Sequence, residues 1–131
     1  MVRASSDELS PEDFLQFVET NEFVRQWDVL GFDCEHDLLE LQLAIMRDPH
    51  VGKVVAGTGG LRKMRFGRAK DGVGKRGGIR VCYIHFPGHA IVLLVTAYGK
   101  DEKDDLTASD KKGIREFIDR SKAALDRSKG R

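Results

Sequence analysis

Only two cysteines, three prolines and one tryptophan occur among the 131 residues. Cys34 and Cys82 are too few and too far apart for a disulfide-dense secreted scaffold. Each sits within an apolar pattern, so two reduced, buried thiols are expected; a single bridge between them stays open. No long hydrophobic run exists. The strongest, Ala90–Ala97, falls far short of the roughly 20 residues that span a bilayer. The stretch Met1–Glu8 lacks an apolar signal core. A cytoplasmic protein with no membrane partner is therefore expected. The four histidines, His36, His50, His85 and His89, have no zinc-ligand spacing, and no metal or cofactor is expected.

What the sequence does contain is charge, distributed unevenly. Charged residues make up 33% and hydrophobic residues 40%, a composition that folds and fits one core. The net charge is only +1. Yet residues 1–50 hold 3 Lys/Arg against 12 Asp/Glu, while residues 61–80 hold 8 Lys/Arg against the single acid Asp71. A segment that basic in a near-neutral chain creates the kind of local field that attracts polyanions. A solvated loop with an ordinary charge run accounts for the charge equally well.

Hydrophobic periodicity divides the chain into elements. Residues 1–12 read as a polar tail, residues 13–125 as one domain and residues 126–131 as a basic tail. Phe14–Thr20 is a candidate edge strand. Thr20 or Asn21 can cap a helix to about Leu30, where Gly31 ends it. Asp33–Arg47 carries Cys34, Leu38, Leu41 and Ile45 at helical spacing, and Asp48-Pro49 stops it. From Leu61 the period becomes two: Leu61, Lys63 and Arg65 point one way, Arg62, Met64 and Phe66 the other. Ile79–Phe86 is a second strand. Ile91–Tyr98, apolar and β-branched, suits a central strand buried on both faces. Thr107 to Asp110 approximates a capping box before a last helix with the stripe Ile114, Phe117, Ile118, Ser121 and Leu125. Helices followed by consecutive strands suggest an α+β domain, an antiparallel meander with helices on one face.

The chemistry-bearing patterns are few. Gly57-Thr58-Gly59-Gly60-Leu61-Arg62-Lys63 superficially suggests a phosphate loop. It lacks the following helix and the Ser or Thr after the lysine, so a sharp turn into the strand is the better reading. Paired strands at 61–66 and 79–86 would bring Lys63, Arg65 and Arg80 onto one sheet surface, with Arg68, Lys70, Lys75 and Arg76 in the connection. Arginine offers a planar fork to phosphate oxygens and lysine a point charge. Edge-strand cations that guard against aggregation are the competing explanation. His85 and His89 flank a Pro87-Gly88 turn; an acid–base pair is conceivable, a surface turn pair the simpler reading. Tyr98 and Lys100 flank Gly99 at a strand end, where Tyr98 reads equally as a core aromatic.

Three blocks in order carry a family resemblance: Gly57–Phe66, Gly74–Val81 and Leu93–Leu106. Together, over about Phe23 to Leu125, the chain resembles the HigB branch of the RelE superfamily of toxins. The resemblance implies an α+β, RelE-like fold, with two N-terminal helices packed on a curved antiparallel sheet and a C-terminal helix. It implies a metal-independent mRNA endoribonuclease that cuts mRNA on the ribosome through attack of a ribose 2′-hydroxyl. Its implied partners are that mRNA, a helix-turn-helix antitoxin, and operator DNA only through the antitoxin complex. By matching position, Arg80 would stabilise the transition-state phosphate. Lys63 and Arg65 would contact the scissile region, and Lys100 and Tyr98 would aid proton transfer or orientation. Arg62, Arg68, Lys70, Lys75 and Arg76 would grip RNA backbone. The RelE pattern's tyrosine beyond Gly99-Lys100 has no counterpart in Asp105-Leu106-Thr107, and Asp101 replaces a basic residue. A non-catalytic nucleic-acid-binding module or decayed toxin, and a ParE-like gyrase poison, are the alternatives.

Overall fold

Thr20 organises the start of the domain. Its hydroxyl accepts from the Phe23 N–H (3.0 Å) and donates to the Val95 carbonyl (2.7 Å). It thus caps the first helix and ties that helix to the sheet in one residue. The computed structural model describes residues 9–67, 78–100 and 106–129. A 3-10 turn, Pro11–Asp13, with Ser10 and Asp13 bonded to each other, leads into β1 (Gln16–Glu19). Then follow α1 (Asn21–Val29), α2 (His36–Arg47), β2 (Lys53–Val54), β3 (Leu61–Phe66), β4 (Ile79–Phe86), β5 (Ile91–Gly99) and α3 (Ala108–Lys129).

The five strands form one sheet in the order β1-β5-β4-β3-β2. The fold is α+β, as expected, but the sheet is mixed. β1 runs parallel to β5, pairing Gln16 with Ile91 and Glu19 with Leu94, while the other three pairings are antiparallel. β4 occupies the middle of the sheet in place of β5, and its burial is correspondingly more complete. Between Cys82 and Tyr83 the register slips, so that Cys82 faces Thr96 and Tyr83 faces Leu94. A bulge of this kind bends a strand and raises its twist. The Val95 carbonyl left at the slip is the one that accepts from Thr20.

Helices cover both faces of the sheet. On one, Phe23 and Trp27 of α1 and Leu41 and Ile45 of α2 pack with Met64, Phe66, Val81, Tyr83 and Leu94. On the other, Ile118 of α3 packs with Leu61, Cys82, Ile84 and Phe86, joined by the half-buried Ile114 and Leu125. The expectation of helices on a single face is corrected for α3. Phe117, expected in its stripe, is 40% exposed. The Thr107–Asp110 capping box is present, each side chain accepting from the other residue's backbone N–H.

Cys34 corrects a second expectation, since it is exposed; only Cys82 is buried, and no disulfide joins them. The cause is the helix start. Asp33 Oδ1 accepts from the N–H groups of Glu35 and Asp37, so α2 begins at His36 and Cys34 lies in the turn before it. No helix among the described residues is long and apolar enough to cross a membrane.

Candidate nucleic-acid interface

Strand alternation decides which cations meet. In the β3–β4 ladder Arg65 lies opposite Arg80 and Lys63 opposite Cys82; in the β2–β3 ladder Lys53 lies opposite Lys63. Cross-strand partners share a face. Lys53, Lys63, Arg65 and Arg80 therefore line one open cleft of ≈ 630 Å³, with Val51, Val54, Val55 and Met64. Among the described residues no carboxylate lines it. Like charges directly opposite one another are destabilising. Two such pairs place four cationic side chains on one cleft, a local field of the sign that attracts a polyanion.

The remaining candidates are placed differently. Tyr98 is the β5 partner of Arg80. Its half-buried ring packs with the α3-side core, as the core-aromatic reading expects. Lys100 is exposed, one residue past the end of β5. Neither lines the cleft. Arg62 faces the opposite side of β3, and its Nη1 donates to the Gly52 carbonyl at 2.7 Å. Arg68, Lys70, Lys75 and Arg76 lie outside the described residues. Lys53 was not among the expected site residues. A two-residue strand has no periodicity to read; the adjacent Val54-Val55 pair was the only sign of it.

The glycine run has a structural use. Gly57, Gly59 and Gly60 all have positive φ. A Cβ on Gly57 or Gly59 would press at 3.1 Å on Lys111 or Arg115 of α3, and Arg115 donates to the Gly57 carbonyl at 2.6 Å. The loop is a turn beneath α3, held from inside by the buried Thr58, whose hydroxyl donates to Val55 O and accepts from Leu61 N–H.

Tyr83 supports the cleft from behind. It is fully buried; its hydroxyl donates to Pro49 O (2.8 Å) and accepts from Gly52 N–H (2.9 Å), fixing the segment that enters β2. Burial pushes its pKa up, against a smaller opposing effect of the Gly52 hydrogen bond. The stability this neutral phenol gives is present below about pH 10 and is lost as pH rises through the raised value. Tyr83→Phe leaves one buried donor and one buried acceptor without their partner. It is expected to cost about 1–3 kcal/mol in urea unfolding. A change below 0.3 kcal/mol would show that water replaces the phenol freely.

No family model matches the sequence. Among solved structures, the chain is similar to an arginine-to-alanine double mutant of the E. coli toxin RelE in the free state. The TM-score is 0.51 and the identity 12%, over 80% of this chain and 97% of that one. It is similar also to the isolated E. coli RelE toxin, with a TM-score of 0.50 and 11% identity over 79% and 98% of the two chains. At such identities the likeness is one of architecture, and on that ground this chain has a RelE-like fold.

Proposed function

We propose that the protein is a ribosome-dependent mRNA endoribonuclease of the HigB-like branch, the toxin of a toxin–antitoxin pair. It would act in the cytoplasm, be neutralised by a helix-turn-helix antitoxin and reach operator DNA only through that complex. The observation that carries this reading is the cleft onto which cross-strand pairing brings Lys53, Lys63, Arg65 and Arg80 together. A phosphodiester is the ligand such a cleft suits. The RelE-like fold supports the same class.

In the proposed reaction the substrate's own 2′-hydroxyl attacks the adjacent phosphorus. The P–O5′ bond breaks, the proton lost from the 2′-oxygen is balanced by one taken up at the departing 5′-oxygen, and a 2′,3′-cyclic phosphate and a 5′-hydroxyl result. The protein aligns the attack and offsets the charge gathering on the phosphorane oxygens. Arg80, on the middle strand and beside Arg65, takes that second task; Lys63 and Lys53 hold the neighbouring phosphate. Tyr98 and Lys100 stand at the β5 end of the site, where orientation or proton transfer is their proposed part.

Primer extension on mRNA translated in the presence of the purified protein tests the proposal. Codon-phased cuts ending in cyclic phosphate are expected. Intact mRNA, with RNA binding retained, would assign the chain to a non-catalytic nucleic-acid-binding class instead.

A further inference from the structure

A second cleft opens on the other side of the β2–β3 edge. β4 continues past the start of β3: pairing ends at Leu61–Ile84, leaving His85 and Phe86 without a β3 partner. In the space so formed, of ≈ 380 Å³, stand His50, Arg62 and His85, with His89, Lys122 and Asp126 at its far wall. The volume is in the range of small-molecule sites, about 300–1,000 Å³. The rings of His50 and His85 meet edge to face, with centroids 6.1 Å apart. Among the described residues that line it, Asp126 is the single carboxylate, and its Oδ1 is 2.8 Å from His89 Nε2. The cleft thus gathers three imidazoles, a guanidinium and an ammonium, with the one acid held by His89.

Its position relates it to the cationic cleft. Arg62 and Lys63 are neighbours on β3 that project to opposite faces, and Val54, 50% exposed on β2, lines both clefts. A chain leaving Lys63 has only the thin edge of a two-residue strand to cross before it reaches Arg62.

We infer that the His50–Arg62–His85 cleft is a second phosphate subsite, which takes a backbone phosphate of the single-stranded RNA after the strand crosses the β2 edge. This rests on the reading of the first cleft as an RNA site. Arg62 is already oriented by its bond to Gly52 O and supplies the permanent charge. The two imidazoles supply ring N–H donors for the phosphate oxygens.

That last point gives the subsite a pH signature. Burial, then His50, then Arg62 hold the His85 pKa below the ordinary imidazole value. Unliganded, His85 is therefore neutral near pH 7. A phosphate beside the two rings raises the His85 pKa, so binding takes up a proton and tightens as pH falls. The other groups around His85 do not reverse this sign. Tyr83 on β4 is neutral in this range, and Asp48, which accepts from His50 N–H, is at the end of α2. His89 and Asp126 contact each other, and Lys122 on α3 adds positive charge.

The test uses a 2′-O-methyl oligoribonucleotide, which binds without being cut, and the full-length protein. Its affinity by fluorescence anisotropy is expected to rise roughly five- to tenfold from pH 7.5 to 5.5. The double variant His50→Gln/His85→Gln should reduce that ratio to under about twofold, and His50→Gln alone, on an exposed loop, should give an intermediate ratio. In parallel, ring signals of His50 and His85 should move on titration with inorganic phosphate. A double variant that melts like the parent and keeps its pH ratio overturns the subsite, as do ring signals that stay still under phosphate. Arg80→Ala separates the two readings. If it weakens binding at both pH values and leaves the ratio intact, the two sites act as described. If it leaves affinity unchanged while the histidine signals still move, the first cleft fails as the RNA site and the phosphate subsite stands.

Discussion

Arg80→Ala is expected to slow cleavage of ribosome-bound mRNA about 10²–10³-fold and to relieve growth arrest at equal expression. Arg80 sits on β4, the middle strand, between Arg65 and Tyr98 in register. A group on a rigid central strand moves little during reaction, and donors fixed before the charge develops are the most effective ones. The guanidinium is half-buried, with Nη1 only distantly related to Gly78 O at 3.5 Å. Truncating it therefore removes little packing and no strong internal bond. Stability should stay within about 0.5 kcal/mol of the parent, because loss of the Arg65–Arg80 repulsion offsets the lost contacts. Arg80→Lys should recover only part of the rate, since an ammonium cannot offer the two-pronged contact. Single-turnover cleavage and a thermal melt on the same preparation check both halves. A fully toxic Arg80→Ala protein would show that the transition-state charge is held elsewhere.

The face carrying Lys63 and Arg65 was legible because a half-buried strand must alternate. Met64 and Phe66 go into the α1–α2 core, which forces their neighbours out. Arg80 followed once Ile79 and Val81 were core residues. Thr20 and Gly31 were legible because caps are local chemistry; the Thr20 bond and the Gly31 φ of +85° realise them. Three other features depend on long-range packing that no local pattern sets. β1 pairs with a strand more than 70 residues away, and nothing within Gln16–Glu19 sets its parallel direction. The choice of sheet face for α3 is made by Leu61, Ile84 and Phe86, whose alternation fits either side. Lys53 belongs to the site only because Tyr83, 30 residues later, binds the backbone at Pro49 and Gly52 and thereby holds the approach to β2. The histidine cleft is of this kind too, assembled from a loop, β3, β4 and α3. His85 and His89 flank one turn as a sequence pair, yet the ring packed against His85 belongs to His50.

Trp27→Ala is expected to cost about 3–5 kcal/mol, the largest stability loss of any single change considered. The ring is 3% exposed and is the hub of an aromatic cluster, with centroids 5.3 Å from Phe23, 4.7 Å from Phe32 and 5.8 Å from Phe66. Its Nε1 donates to the Asp33 carbonyl at 2.7 Å, across the turn that joins α1 to α2. Truncation thus opens a cavity and also frees the turn in which Asp33 caps α2. Phe66 feels the loss directly. It also rests on Phe32 at 5.9 Å, and it is the next residue after Arg65. The cluster is the backing against which that end of β3, and so one wall of the cationic cleft, is held. Against a typical domain stability of 5–15 kcal/mol, the loss takes a large share of the whole. The melting temperature should fall by roughly 10–20 °C. Trp27→Phe keeps most of the apolar volume and loses the bond to Asp33, so it should cost only about 1–2 kcal/mol from that bond plus the smaller void. Urea unfolding of the three proteins checks the order. A Trp27→Ala loss below 1 kcal/mol would mean that α1 and Phe32 collapse onto Phe66 and fill the space, and the cluster would then not be what keeps Arg65 in place.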